Sequence, residues 1–245
     1  KIFRQPIRPI SPGDRSEFRK TLETWLAAGV IKHHSPTSPD RSPHSHPLVL
    51  VRRHAKTTDQ SAPPGASAKR LRVTMDLRSI NRHTIAHSYH LQPLLSKLMS
   101  LKQATLFAQY DISDAFSSIP LSPASSKLMS FDTEEFGSFS YLRMPQGSSA
   151  AVQVMSSILA LLVQQLPLTS IIHYVDDCLL YTTKQGRRQQ IEHLLELSNR
   201  FLTEIMKAGL KVSCKKISFC VESCTFLGFT LSEKGISLQR NYVEA

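Results

Sequence analysis

The sequence has few cysteines and no long apolar run. Its four cysteines all lie in the last third of the 245 residues, without the paired spacing of a zinc site or the density of a disulfide framework. No apolar stretch approaches the roughly twenty residues of a membrane span, the first residues lack a signal-peptide pattern, and no internal repeat is visible. A reducing, intracellular setting is expected, cytoplasmic with access to the nucleus, and no membrane partner.

Negative charge is also in short supply. Thirty Lys and Arg residues face nineteen Asp and Glu residues, which leaves a net charge of +11. So large an excess favours a polyanionic partner, with nucleic acid ahead of a membrane surface. The hydrophobic content of 41% is enough for a substantial core, in one large domain or two packed ones.

Apolar periodicity predicts a mixed α+β chain. The stretch 33–46, which contains four histidines, reads as a solvated loop rather than a metal site, and 52–70 reads as a long loop. Helices are predicted over 18–29, 91–101, 152–166 and 191–209, and strands over 47–51, 69–78, 106–112, 129–131, 138–144, 171–181, 225–231 and 236–238.

Two adjacent carboxylates, Asp176 and Asp177, interrupt the apolar stretch 171–181. The pattern predicts a hairpin of buried strands with the acidic pair at its turn. Like charges flanked by apolar strands repel each other and lose hydration, unless a hard cation or a network of donors compensates them. Mg²⁺ is the obvious cation, whereas an ordinary Asp-Asp turn is the better interpretation of the dipeptide taken alone.

A third carboxylate, Asp111, ends the predicted strand 106–112. A sheet backed by two helices, of the split βαβ or ferredoxin-like kind, would bring this strand beside the acidic hairpin. Three converging carboxylates can hold two magnesium ions about 3.5–4 Å apart for in-line phosphoryl transfer, as in polymerases and nucleases.

Five stretches together resemble the motifs of reverse transcriptases, in the order that family shows. The Tyr-Val-Asp-Asp run at 174–177 matches its YxDD signature. Its basic strand, first aspartate motif, [LM]-P-[QF]-G loop and FLG hairpin are matched, in that order, by 71–81, 110–116, 144–147 and 226–229. The N-terminal part resembles the fingers of gypsy-type retrotransposon and retroviral enzymes. The chain is therefore identified as a reverse transcriptase domain of an LTR retroelement pol region, with virus-like particles as a further expected location.

The resemblance implies an α+β right-hand polymerase made of fingers and palm. The palm would be a ferredoxin-like antiparallel sheet backed by helices. One reverse transcriptase domain would span 1–245, with fingers at 1–92 and 120–148, palm at 93–119 and 149–224, a primer-grip hairpin at 225–240 and almost no thumb.

The resemblance also implies residue roles. The metal ligands would be Asp111, Asp176 and Asp177, holding two Mg²⁺ ions, with Mn²⁺ as a substitute. Nucleotide contacts would come from Lys69, Arg70, Arg72, Phe116 and Gln146. Primer or template contacts would come from Tyr174, Phe226, Leu227 and Gly228. The candidate general acids are Lys215 and Lys216, although exposed lysines are common in a basic chain. For Phe116, a plain core aromatic is an equal interpretation.

Two functions stay open at this point. The first is an RNA- and DNA-directed DNA polymerase that uses primer, template and dNTP, within a longer polyprotein containing RNase H and integrase. The second is a decayed or domesticated copy that binds nucleic acid or protein without catalysis. Three features bear on the match to the family pattern. Gln146 before the glycine is retrovirus-like, whereas gypsy-type elements usually have phenylalanine there. Ser-Ser-Ala-Ala without the usual proline follows Gly147, and an insertion surrounds 63–64.

Overall fold

The computed structural model describes residues 1–53, 70–85, 94–99, 101, 103–166 and 170–239. The chain divides into two compact units, one made of Lys1–Ala86 and Phe116–Ala151 and the other of His87–Ala115 and Val152–Ala245. Within the described parts of the chain, no helix is long and apolar enough to cross a membrane.

The described residues of the first unit form two small antiparallel sheets, three α-helices and one 3₁₀ helix. One sheet has the order β1-β6-β5 and the other pairs β2 with β3. The elements in chain order are α1 (Arg15–Ala27), β1 (Ile31–His34), β2 (Leu48–Arg53), β3 (Arg70–Met75), α2 (Arg78–Asn81), α4 (Pro123–Leu128), β5 (Ser130–Thr133) and β6 (Gly137–Tyr141). The link between β2 and β3, predicted as a long loop, lies outside the described residues.

Aromatic side chains fill the core of the first unit. Phe131 and Phe139 face each other across β5 and β6 and stack with ring centroids 5.2 Å apart. Helix α1 buries Phe18 and Leu22 in the same core, four residues apart as one helix face requires. The predicted helix at 18–29 is therefore confirmed, and Gly29 follows it with a φ of 63°.

The histidine-rich stretch is not the solvated loop that the sequence predicted. Two of its histidines belong to β1, and both His34 and His46 are buried. The Nε2 atom of His34 lies 3.0 Å from the hydroxyl of Ser140, and Nε2 of His46 lies 3.0 Å from the carbonyl of Leu128. Hydrogen bonds to partners distant in sequence make burial of these rings tolerable, and periodicity cannot reveal such partners.

The second unit is built on a four-stranded antiparallel sheet with the order β7-β8-β4-β9. A second sheet, β10-β11-β12, follows it in the chain. The elements are α3 (Leu94–Met99), β4 (Leu106–Asp111), α5 (Ala151–Val163), β7 (Ile171–Tyr174), β8 (Asp177–Thr182), α6 (Arg187–Lys207), β9 (Ser218–Val221), β10 (Ser223–Phe226), β11 (Phe229–Ser232) and β12 (Gly235–Leu238).

The four-stranded sheet is covered on both faces. On one face Phe107, Leu179 and Tyr181 join a buried cluster that also contains Phe226 of β10. On the other face Tyr110 packs against Phe201 of α6, with ring centroids 5.3 Å apart. A sheet backed by helices is the α+β arrangement that the sequence predicted.

The predicted strand 225–231 is wrong as a single element. It breaks into β10 and β11, which pair through Phe226 and Phe229 around a turn made only of Leu227 and Gly228. These two residues have φ angles of 50° and 84°. Positive φ at both central residues is the geometry of a tight hairpin turn. Leucine is not among the residues that favour such a turn, so residue type alone does not reveal it. Strand β9 was not predicted from the sequence.

Candidate active site

Strand pairing places Asp111 directly opposite Asp177. Strands β4 and β8 are antiparallel, and their register joins Asp111 with Asp177 at one end of the sheet. Residues that face each other in this way project to the same side, with Cβ atoms about 4.5–5.5 Å apart. Although 66 positions separate the two aspartates in the numbering, the fold makes them neighbours, as the sequence analysis predicted.

The third aspartate occupies the turn between β7 and β8. Tyr174 pairs with Asp177, so the turn consists only of Val175 and Asp176. The backbone N–H of Ile112 donates to the carbonyl of Asp176 over 3.0 Å, which ties the turn to the end of β4. Val175 has a φ of 58°, a conformation in which a β-branched residue is strained. The hydrogen bond and the register hold the turn in place despite that strain.

The carboxylates influence one another electrostatically. Burial raises the pKa of Asp177, and the negative charges of Asp176 and Asp111 raise it further, while Lys216 lowers it. The neighbouring thiol of Cys178 is fully buried beside these charges, and burial raises its pKa as well. The thiol therefore stays neutral at ordinary pH, and the charge at this end of the sheet belongs to the aspartates.

Lys216 supplies the positive charge at this site. Its Nζ donates a hydrogen bond to Oδ1 of Asp111 over 2.8 Å, and this bond raises the pKa of the lysine. Lys215, its neighbour, is exposed and forms no ion pair with a described residue. Of the two lysines that the sequence could not separate, Lys216 is the one that reaches the acidic site.

The donor chemistry of the site suits a hard cation. Three carboxylates at one end of a sheet offer the oxygen ligands that Mg²⁺ prefers, and the charges of Asp176 and Asp111 add to burial in raising the pKa of Asp177. In the part of the chain that the structure describes, no group of three or more His, Cys, Asp or Glu side chains is arranged so that it could hold a metal ion. The residue types fit a magnesium site, whereas the side-chain arrangement with Lys216 on Asp111 is not a coordination shell.

A second polar cluster lies in the first unit. Arg72, on β3, donates from its guanidinium to Oε1 of Gln146, with Nε at 3.0 Å. Among the described residues Arg72 forms no ion pair, so its charge is not neutralised by a carboxylate there. An arginine whose partner is a neutral amide retains full charge for an anionic ligand.

Asn81 holds the loop that carries Gln146. Its Nδ2 donates to the carbonyl of Gly147 over 2.8 Å, and its Oδ1 accepts from the N–H of Ser149 over 3.1 Å. Gly147 itself has a φ of 98°, and a Cβ there would lie 3.3 Å from the carbonyl of Met75. Sequence reasoning missed this role for Asn81, although Asn81 ends the motif that begins at Arg72.

The remaining predicted site residues fall into three groups. Lys69 and the side chain of Arg70 lie outside the described residues. Phe116 begins a 3₁₀ helix in the first unit and is partly buried, as is Tyr174 in the second unit. Phe226 is fully buried in the core, so only Leu227 and Gly228, which form the turn after it, are partly exposed.

The model of one protein family, described as reverse transcriptase (RNA-dependent DNA polymerase), matches residues 56–231. That match covers more than half of the chain, which therefore belongs to the reverse transcriptase family.

The curated relatives are viral and transposon polyproteins. The chain is 27% identical to the Gag-Pol polyprotein of avian reticuloendotheliosis virus, over 98% of this chain and 20% of that protein. It is 25% identical to the retrovirus-related Pol polyprotein from transposon 412 of Drosophila melanogaster, over 81% of this chain and 15% of that protein. The chain thus spans a fifth or less of these relatives, and the predicted resemblance to retroelement pol regions is confirmed.

Solved structures of foamy viral protease-reverse transcriptase share the fold. One, in complex with double-stranded DNA, matches with a TM-score of 0.80 at 21% identity, over 100% of this chain and 38% of that one. Another, in complex with an RNA/DNA hybrid, matches with a TM-score of 0.78 at 21% identity, over 98% and 29%. This likeness confirms the predicted α+β fold of reverse transcriptase fingers and palm.

Proposed function

We propose that this chain is an RNA-directed DNA polymerase that also copies DNA, adding deoxynucleotides to a primer 3′-hydroxyl with two magnesium ions. The observation that carries the proposal is the register of β4 and β8, which sets Asp111 against Asp177 beside the Asp176 turn. Family membership supports it, because the metal-dependent carboxylates of such enzymes match these positions in the sequence motifs.

Asp111, Asp176 and Asp177 are the residues that would hold the metal, with Asp111 and Asp176 as the main ligands. When bound, two magnesium ions activate the attacking oxygen and stabilise the leaving oxygen of the phosphoryl transfer. Lys216 holds its ammonium beside this site through the hydrogen bond to Asp111, whereas Lys215 forms no ion pair with a described residue. Lys216 is therefore the better candidate than Lys215 for donating a proton to the departing pyrophosphate.

Residues of the first unit would bind the incoming nucleotide. The guanidinium of Arg72 is a planar cation that matches phosphate geometry. Gln146, held by Arg72, would orient the nucleotide or the template. Phe116 would pack beneath the sugar and select deoxyribose, because a bulky ring leaves no room for a 2′-hydroxyl. Lys69 and Arg70 would assist at the phosphates.

We further propose that the first unit serves as the fingers and the second as the palm. Tyr174 would support the primer end, and the turn at Leu227 and Gly228 would position the primer backbone. Phe226 would act through that turn, which it anchors in the core. The chain would work inside a longer polyprotein, with RNase H and integrase as its companions.

A primer-extension assay tests the proposal. A primed homopolymer RNA template, dNTP and Mg²⁺ are incubated with the wild type, Asp111→Asn and Asp176→Asn. Each substitution removes an anionic ligand and should lower the extension rate by about 10³-fold, the scale of losing transition-state charge stabilisation. Asp114→Asn is the matched control, since Asp114 is exposed, lies three positions away and has a φ of 48° that asparagine tolerates. It should extend normally.

The same assay separates the two functions left open by the sequence. If the wild type retains primer-template on a filter but extends nothing, the chain is a nucleic-acid binding module and the polymerase proposal fails. Retention should weaken steeply with added salt for either function, because contacts between lysine or arginine and phosphate release counterions.

A further inference from the structure

The acidic site of the second unit contains its own cation. Its three carboxylates face a single ammonium in the described ion pairs, that of Lys216, and the ammonium is bound to one oxygen, Oδ1 of Asp111. The same oxygen belongs to the residue that would be a main metal ligand. One carboxylate thus has two candidate cations.

The backbone explains why Lys216 reaches Asp111 whereas Lys215 does not. The N–H of Ser213 donates to the carbonyl of Asp111 over 2.8 Å, and Val212 bridges to Ile112, so the chain is fixed against the end of β4. The N–H of Lys216 then donates to the carbonyl of Ser213 over 2.9 Å, which closes a 3₁₀ turn. This turn aims the side chain of Lys216 back at the carboxylate.

We propose that Lys216 is a built-in counter-ion that a divalent cation must displace from Asp111. The proposal rests on the proposed function for the assignment of Asp111 as a metal ligand. An ammonium 2.8 Å from Oδ1 and a divalent ion bound to the same carboxylate would repel each other strongly, so the two occupy the site in turn. Before cation binding, the ammonium limits the repulsion among the aspartates.

The displacement is easy because the pair is weak. The side chain of Lys216 is 64% exposed and that of Asp111 19%, and an ion pair with so exposed a partner contributes little to stability. Once displaced, the ammonium is free to meet an anionic ligand such as a phosphate group. Binding of the divalent cation and release of the Lys216 ammonium, the candidate proton donor, are therefore coupled at this site.

Mn²⁺ binding to the isolated chain, measured by electron paramagnetic resonance of free Mn²⁺ without nucleotide or nucleic acid, tests the proposal. Lys216→Met should bind Mn²⁺ about three- to tenfold more tightly than the wild type, because no competitor remains on Asp111. Lys215→Met removes the same charge one residue away and should change the affinity by less than about twofold, since salt screens an exposed charge.

Asp111→Asn separates the failure of this inference from that of the proposed function. If Asp111→Asn weakens Mn²⁺ binding and Lys216→Met behaves like Lys215→Met, the counter-ion role is overturned while the metal site stands. If Asp111→Asn leaves Mn²⁺ binding unchanged, Asp111 is not a metal ligand and both fail.

A measurement on the wild type avoids dependence on a variant that fails to fold. Acetic anhydride labels free amines, so mass spectrometry can follow labelling of each lysine with and without Mn²⁺. Release from Asp111 should increase labelling of Lys216 by about two- to fivefold, because the carboxylate no longer shields the amine from the reagent, while labelling of Lys215 is unchanged. Labelling of Lys216 that Mn²⁺ does not increase would contradict displacement.

Discussion

Two sets of carboxylates in this chain stand in opposite electrostatic environments. In the first unit, the buried Asp76 accepts hydrogen bonds from Arg8 at 2.9 Å and from two nitrogens of Arg78 at 2.8 and 2.7 Å. The hydrogen bonds from Arg78 and then Arg8 hold the pKa of Asp76 well below its usual range. In the second unit, burial and two neighbouring carboxylates raise the pKa of Asp177.

The contrast separates a carboxylate whose charge is balanced by two arginines from carboxylates with little compensation among the described residues. Two arginines surround the single negative charge of Asp76, so that charge is compensated without any other molecule. In the described ion pairs of the second unit, the three aspartates have a single lysine among them, Lys216, which contacts Asp111. Carboxylates whose pKa is perturbed in this way cluster at functional sites.

Among the substitutions that test this contrast, replacement of Asp76 is expected to have the largest effect, which is a loss of stability. Asp76→Asn should destabilise the protein by about 2 kcal/mol, since it removes charge-assisted hydrogen bonds to two arginines. The folded-state pKa of Asp76 is depressed, so its contribution is present above the unfolded pKa near 4 and is lost as the pH falls further. Urea unfolding of both proteins between pH 3 and 7 should show the difference shrinking at the acid end.

Asp40→Asn is the control for that substitution. Asp40 pairs with Lys32 at 3.4 Å, and both side chains are more than half exposed. Its removal should change the free energy of unfolding by less than about 0.5 kcal/mol. Equal effects of the two substitutions would show that Asp76 is no more structural than a surface aspartate.

Arg72 extends the comparison to a cation whose described partner is neutral. Arg72→Gln should raise KM for dNTP about tenfold with little change in the midpoint of urea unfolding, because the lost charge serves a ligand rather than the fold. Steady-state primer extension at varied dNTP measures KM. Arg82→Gln, an exposed position in the same unit, should leave KM unaltered. If the unfolding midpoint of Arg72→Gln falls while its KM for dNTP is unchanged, Arg72 stabilises the fold rather than binding the nucleotide.

The smallest effect lies at Asp177. Asp177→Asn should stabilise the protein at pH 7 by about 0.2–1 kcal/mol, the scale of a like-charge pair directly opposite in a sheet. Because the folded-state pKa of Asp177 is raised, the wild type loses stability as the pH rises through that pKa, so the gain should vanish below the unfolded pKa near 4. Thermal unfolding at pH 3 and 7 measures this. If Asp177→Asn is instead less stable than the wild type at pH 7, the repulsion between Asp177 and its neighbouring carboxylates is contradicted.

Sequence reasoning located the acidic site because its signals are local. Apolar runs on both sides of Asp176 and Asp177 predict a hairpin, and Asp111 ends an apolar strand of its own. The order of the predicted strands and helices, which fits a ferredoxin-like sheet, then indicated that the two segments meet. Strand register, which is set by long-range pairing, supplied what sequence could not: that Asp177 is the aspartate directly opposite Asp111.

What sequence reasoning missed depends on partners distant in the chain. Burial of His34 rests on a hydroxyl 106 positions away, and the role of Asn81 rests on backbone groups of a loop 66 positions away. The choice between Lys215 and Lys216 rests on a 3₁₀ turn fixed by backbone bonds to β4. None of these leaves a periodic pattern, because each is a single contact made by the finished fold.

The pairing of β4 with β8 also limits which changes in chain length the site can accept. Side chains alternate between the two faces of a strand, so one residue added or removed before Asp111 would turn its carboxylate towards the α6 face. Substitutions along β4 alter packing one position at a time, whereas a single insertion or deletion would dismantle the acidic cluster at once. We expect natural variants of this chain to differ in the composition of this strand pair while keeping its length.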